Sequence, residues 1–433
     1  MPRGFGLVFA AVFAASAAVS GPENPVVPGD PLAKVEAVVR AAWNGGALTA
    51  FRAGLDAREA GVLGEIHPGA PYTELAREGI DSGFSKAPNA ATYLRLGMPF
   101  NAPWQRPSGR DFVRSTRDHA GLAARMEALR IATDAVSAWL DLATAIDRKE
   151  VIRQRVARLD RALVLYRKRL ELGEVAGSEV YQIELQRARE TADLAQVESD
   201  ASEATARLAS LTRGGAPVPA PGDLTRLREA LGPIQSEGVL AIAVRHDPLP
   251  LRLARRESER VRREGIHLRK TSWGRPEFEL SYENLPALDD AESSDSIGAR
   301  LVIPLPFGDL GKHRAAEAAA RVREAVAREN VARAETEARI EAALSRLEAA
   351  AGALDTLGAS EREAQAIEHS LSEQFRLGAI NYLAYLDGLS RLDEVRAGAI
   401  EARRTELLAR LELAALIDDP AMFALPDPDE EPE

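Results

Sequence analysis

Cysteine is absent from the 433 residues, so no disulfide staples the fold and no mature N-terminal cysteine can carry a lipid anchor. Aromatic residues make up only 5%, too few for a thick globular core, while alanine is abundant, which fits thin helical walls. No apolar run reaches the ~20 residues of a membrane-spanning helix, so any crossing would have to be made by strands. Proline is missing from Ser108 to Ala216 and from Phe307 to Asp419, although the chain holds 25. Both stretches are rich in Ala, Glu, Arg and Leu, the strong helix formers. No phosphate-cradling glycine loop, Gly-x-Ser-x-Gly or His-Glu-x-x-His motif occurs, and no cofactor is implied. The net charge of −11 comes from 55 basic and 66 acidic residues, interleaved along the helices without the basic face that nucleic acid requires.

What is present is a chain written twice. Subtracting 205 from each number carries Leu377-Gly378 onto Leu172-Gly173, Arg300-Leu301 onto Arg95-Leu96, Pro304 onto Pro99, and Glu279-Leu280 onto Glu74-Leu75. A period this long is a duplicated domain rather than a solenoid repeat. Residues 1–20 combine Arg3, an apolar run from Phe5 to Phe13 and small residues up to Ser20, the pattern of a signal peptide cleaved after Ala17 or Ser20. Residues 21–30 read as an extended leader, 31–213 as the first repeat, 214–236 as a linker, 237–419 as the second repeat and 420–433 as an acidic tail.

Each repeat opens with a helix, expected over Pro31 to about Val62 with a break at Asn44-Gly45-Gly46. Its counterpart is expected from Gln235 to Lys270, with breaks at Asp247-Pro248 and Pro250. A strand pair follows, at about 71–100 and 276–305. Phe278, Leu280 and Tyr282, and then Ile297, Ala299, Leu301 and Ile303, alternate with polar or small neighbours, giving a hairpin with one apolar face. The strand from Tyr72 to Ile80 alternates poorly. Pro99 and Pro304 close the strands. Long antiparallel helical hairpins then run at about 110–212 and 312–416, reversing at Leu172-Gly173-Glu174-Val175-Ala176-Gly177 and Leu377-Gly378-Ala379-Ile380-Asn381. The fold class is mainly α, with a small β part.

Two glycine reversals, each followed after six residues by an acid or its counterpart, and each at a set distance from a strand-ending proline, resemble the TolC-like outer-membrane efflux factors. The resemblance spans about Pro31 to Asp419. The tract Pro276-Glu277-Phe278-Glu279-Leu280-Ser281-Tyr282-Glu283-Asn284 is similar to the CzcC-like heavy-metal branch. It implies a homotrimer with a twelve-stranded transmembrane barrel in the outer membrane of a Gram-negative bacterium, and a helical tube in the periplasm. The implied partners are a periplasmic membrane fusion (adaptor) protein, an inner-membrane pump of the RND type and outer-membrane lipid.

By the same resemblance Leu172, Gly173, Val175, Ala176, Leu377, Gly378, Ile380 and Asn381 form the adaptor-docking tips, although a glycine reversal can equally be only a turn. Asp387, nine residues past Gly378, matches one of two acidic rings that narrow such tubes; Ala384 stands where the other would be. Glu179 is its counterpart in the first repeat. Both acids can also be ordinary exposed helix charges. The six histidines show no i, i+3 or i, i+4 pairing, so no metal site is expected; His313 beside Lys312 and Arg314 reads as a basic collar. A periplasmic coiled-coil scaffold without a pore is the alternative reading.

Overall fold

The computed structural model describes residues 30–67, 69–78, 91–103, 105–232, 247–271, 274–285, 294–304 and 310–418. The signal peptide, most of the leader, the acidic tail and the first third of the helix expected from Gln235 lie outside these residues. In chain order the elements are α1 (Pro31–Trp43), α2 (Ala47–Ile66), β1 (Tyr72–Glu78), β2 (Ala91–Pro99), α3 (Arg106–Glu171) and α4 (Gly177–Thr212). They continue as α5 (Asp223–Leu231), α6 (Leu249–Thr271), β3 (Glu277–Leu285), β4 (Ser294–Val302), α7 (Leu310–Arg376) and α8 (Tyr382–Ile417).

The offset of 205 survives in detail. It carries the whole of α4 onto α8, and the left-handed residue that closes each, Arg213 (φ 52°) and Asp418 (φ 59°), onto its mate. At 66 and 67 residues, α3 and α7 are each about 100 Å long at ~1.5 Å per residue. The return helices α4 and α8 have 36 residues each and cover only the lower half. The upper halves of α3 and α7 pack instead on α2 and α6. A layer of helices is thereby kept along both tiers.

Some boundaries differ from expectation. Pro250 does not interrupt α6, because it falls in the first turn, where a missing N–H costs nothing. Pro107 likewise sits in the first turn of α3, so that helix starts four residues early. Composition reads 214–236 as a linker, yet α5 lies inside it. Leu224 and Leu227 are buried there, and the fully buried Asp223 carboxylate accepts from Lys34 Nζ at 2.8 Å and from the Ala220 N–H at 2.7 Å. The Gly222 N–H donates to Asp147 at 2.7 Å, while burial pushes that carboxyl up.

The largest core sits here, at mid-height. Val35, Val38 and Val39 of α1, Trp139 of α3, Leu208 of α4, Leu227 of α5, and Leu407 and Leu411 of α8 pack together. Trp139 is fully buried and donates its indole N–H to the Pro217 carbonyl at 3.1 Å.

The four strands make one antiparallel sheet in the order β1-β2-β3-β4. The two hairpins join through β2 and β3, with Leu96 opposite Leu280 and Met98 opposite Phe278. One face carries Leu75, Leu94, Leu96, Met98, Phe278, Leu280, Tyr282, Ile297 and Leu301, all exposed. The poorly alternating β1 gives this face only one large apolar residue, Leu75. Where the sheet meets the helices, each copy presses a glycine against its strand-ending proline. A Cβ on Gly69 would meet Pro99 at 3.1 Å, and one on Gly274 (φ +80°) would meet Pro304 at 2.7 Å. Gln105 ties the junction, donating to the Gly274 carbonyl at 3.0 Å.

Below the core, the seam between the hairpins turns ionic. Asp393 of α8 is buried and accepts from Arg158 of α3; Arg155 Nε of α3 lies 3.4 Å away and Arg396 of α8 3.1 Å away. Arg396 reaches Glu368 of α7 at 3.0 Å, and Arg155 reaches Glu190 of α4 at 3.5 Å. One carboxylate thus links all four long helices. Asp393→Ala would leave three arginines facing one another and cost about 3 kcal/mol. A lower urea midpoint for the variant checks this, and an unchanged midpoint would count against the network.

Candidate docking tips and constriction

The two reversals at the far ends of α3 and α7 are built alike. In the first, the Gly173 N–H donates to the Leu170 carbonyl at 2.9 Å and the Glu174 N–H to the Arg169 carbonyl at 2.8 Å. In the second, the Gly378 N–H donates to Phe375 at 3.0 Å and the Ala379 N–H to Gln374 at 2.8 Å. This double bond is the Schellman closure, which needs a left-handed residue after the cap. Gly173 (φ +75°) and Gly378 (φ +72°) provide it, and a Cβ at either would stand in open space.

The cap residues are leucines with no cover, Leu172 at 73% and Leu377 at 72% exposure. Of the other expected tip residues, Gly173, Ala176, Gly378 and Asn381 are exposed, while Val175 and Ile380 are half-buried. Val175 packs inward, against a cluster of Tyr166, Val180, Ile183 and Leu386. Asn381 does structural work as well, since its side chain caps α8 by accepting from the Ala384 N–H at 2.8 Å. The first tip closes without a side-chain cap.

The two acids stand in different surroundings. Asp387 is 64% exposed on α8 and pairs with Arg391 one turn on, at 3.0 Å. Its neighbour Gly388 marks a close approach of α8 to α7, because a Cβ there would meet Leu371 at 2.8 Å. Asp387 therefore stands exposed beside the point where the two helices come closest. Glu179 is half-buried in the first turn of α4. Burial, and after it the Glu179 carboxylate, pushes the Tyr166 phenol up.

What residue-by-residue reading missed is an aromatic lock beneath the tips. Phe375 stacks on Tyr385 at 5.2 Å and lies 5.1 Å from Tyr382, which in turn lies 5.7 Å from Tyr166 on the other hairpin. Arg169 covers Tyr166 at 5.8 Å. A sequence signal existed. The chain has seven tyrosines; Tyr72, Tyr93 and Tyr282 are in strands, and Tyr166, Tyr181, Tyr382 and Tyr385 all flank a reversal.

Of the histidines, His267 is buried against Phe112, with its Nδ1 3.3 Å from Ser108 Oγ, and His119 lies 3.4 Å from Glu257. Among the described residues no three His, Cys, Asp or Glu side chains converge as metal ligands, and no helix is long and apolar enough to cross a membrane.

No protein-family model and no curated protein sequence matches the chain. Solved structures do. A membrane protein from Pseudomonas aeruginosa superposes with a TM-score of 0.69 at 15% identity, over 89% of this chain and 92% of that one. The Campylobacter jejuni CmeC outer membrane channel gives 0.68 at 12%, over 92% and 87%. The outer membrane protein VceC from Vibrio cholerae gives 0.68 at 16%, over 88% and 95%. The chain thus has the TolC-like fold of outer-membrane channels, with both repeats, the sheet and the reversals in place.

Proposed function

We propose that the protein is the outer-membrane component of a tripartite efflux system, a passive trimeric duct that docks through its tips to a periplasmic adaptor and an inner-membrane pump. The observation that carries this reading is the sheet. Its apolar face is bare, whereas its opposite face buries Glu279 between Arg95 at 3.4 Å and Arg300 at 3.7 Å. A water-soluble protein does the reverse, since an uncovered apolar sheet face in water wastes burial.

The dimensions agree. Nine-residue strands at ~3.3 Å per residue, tilted about 40°, rise roughly 23 Å, close to the ~25 Å apolar band of an outer-membrane barrel. At the loop end of the same face the polar row Arg77, Thr92, Asn284 and Asp295 begins; Asn284 and Tyr282 both donate to Asp295, at 2.6 and 3.0 Å. That is where an apolar band would give way to headgroups. A pore-free periplasmic scaffold has no use for such a face.

Leu172 and Leu377 are the docking knobs, presented bare on closed turns. Asp387, once per chain, is the constriction acid, its charge shared with Arg391. Heavy-metal cations as cargo rest on the likeness of the 276–284 tract to the metal branch.

Three outcomes are expected. Mature protein extracted from outer membranes in detergent has the mass of a trimer and conducts in planar bilayers; a water-soluble, non-conducting monomer would sink the proposal. Asp387→Ala keeps trimers and pores but lowers the cation-to-anion permeability ratio measured in a salt gradient. Leu172→Asp combined with Leu377→Asp keeps pores in bilayers yet abolishes efflux from cells, because a carboxylate buried in a docking interface weakens it about 100-fold or more.

A further inference from the structure

The polar face of the sheet carries a ladder of alternating charge. Glu74 of β1 lies 3.6 Å from Arg95 of β2, Arg95 lies 3.4 Å from Glu279 of β3, and Glu279 lies 3.7 Å from Arg300 of β4. It crosses all four strands and stops at both edges on opposite charges, an acid on β1 and a base on β4. The end members are the open ones: the Glu74 and Arg300 side chains are 53% and 68% exposed, against 10% for Glu279 in the interior. On the other face the same edges hold two of the most exposed apolar residues, Leu75 at 73% and Leu301 at 56%.

The duplication says what continues the ladder. The offset of 205 turns Glu74 into Glu279 and Arg95 into Arg300. The hairpin registers agree under it, with Glu74 opposite Arg95 and Glu279 opposite Arg300. The third contact, Arg95 to Glu279, joins the first hairpin to the second. Its equivalent joins the second hairpin to a first one, and no first hairpin remains in the same chain to receive it.

We infer that the Glu–Arg ladder sets the register of the joint that closes the duct, between β4 of one chain and β1 of the next, and that this register is the one the β2–β3 pair shows. Leu96 stands opposite Leu280 there, so Leu301 stands opposite Leu75 of the next chain, and Arg300 meets that chain's Glu74 on the diagonal as Arg95 meets Glu279. Closure then makes one unbroken Glu–Arg ring around the lumen, while Leu75 and Leu301 complete the apolar belt outside. Register needs such a device, because β1, with a single large apolar residue on its outer face, specifies it weakly. The inference rests on the duct reading in requiring a closed sheet, and it adds which residues close it.

The absence of native cysteine makes the test clean. Leu75→Cys with Leu301→Cys, oxidised in outer membranes, is expected to give covalent trimers on non-reducing gels. Leu75→Cys with Ala299→Cys, or with Ile303→Cys, is expected to give none, since a two-residue slip puts the Cα atoms ~8 Å apart, beyond disulfide reach. Links within one chain are excluded, because β1 and β4 lie three strand spacings apart, ~14 Å. The charge is tested separately. Reversing all four rungs (Glu74→Arg, Arg95→Glu, Glu279→Arg and Arg300→Glu) keeps alternation within a chain but sets like charges against a wild-type neighbour. Co-expressed with wild type, reversed chains are expected to assemble only with one another. Cross-linking at a control pair, free mixing of reversed and wild-type chains, or no cross-linking in protein that still conducts would each overturn the ladder and leave the duct standing. Protein that neither cross-links nor conducts would overturn both.

Discussion

A sheet with a bare apolar face is the constraint on which the rest depends. Four strands cannot hide their own outer surface, and none of the described helices packs across the sheet. On the proposed reading the hydrophobic effect fixes the protein's solvent before it fixes its shape, because a surround of hydrocarbon makes that face favourable. The opposite face collects the charged pairs at mid-sheet. There the carboxylates and guanidinia neutralise one another in rungs, and Tyr72 lies over Gly97, where a Cβ would stand only 2.3 Å from the Tyr72 ring.

From that anchor the helices serve mainly to carry a surface a long way. A wall one helix thick has little interior, so its cohesion is distributed unevenly. Apolar contacts dominate at mid-height around Trp139 and again near the tips around Leu386, while the seam between is ionic, with Asp393 at its centre. Ion pairs of this kind add little net stability over well-packed apolar side chains. What they add is discrimination, because two hairpins built from one duplicated sequence could otherwise slide along each other. A buried carboxylate on α8 that must meet Arg155 and Arg158 of α3 admits one alignment.

Much of this was legible in the sequence because the features concerned are local. Missing proline, the glycine of each reversal and alternation of side chains act within a few residues, and the duplication doubled each signal. The 205-residue offset proved more durable than periodicity itself, reaching even the left-handed residues Arg213 and Asp418. What stayed hidden depends on contacts between distant segments. Helix α5 lies in proline- and glycine-flanked sequence and owes its place to Leu224, Leu227 and the bond from Lys34 to Asp223. Nothing along the chain distinguishes Asp393 from dozens of solvated acids until α3 is laid beside it. The pairing of β2 with β3, far apart in the chain, was likewise open until Leu96 stood opposite Leu280.

The scarcity of aromatic residues becomes informative once their positions are known. A thin helical wall has no room for large rings, and the tyrosines that remain sit where the wall ends, in the strands or beside the reversals. At the tips, Tyr166, Phe375, Tyr382 and Tyr385 bind one hairpin to the other just below two turns whose backbones are already closed by paired N–H bonds. Turns alone would leave Leu172 and Leu377 on fraying helix ends, and any partner would have to bear the entropy of ordering them. With the aromatic lock beneath, both leucines are presented in fixed relation before a partner arrives. The lock holds the tips in place, the glycines allow the chain to turn there, and the surface proposed for docking amounts to two uncovered side chains.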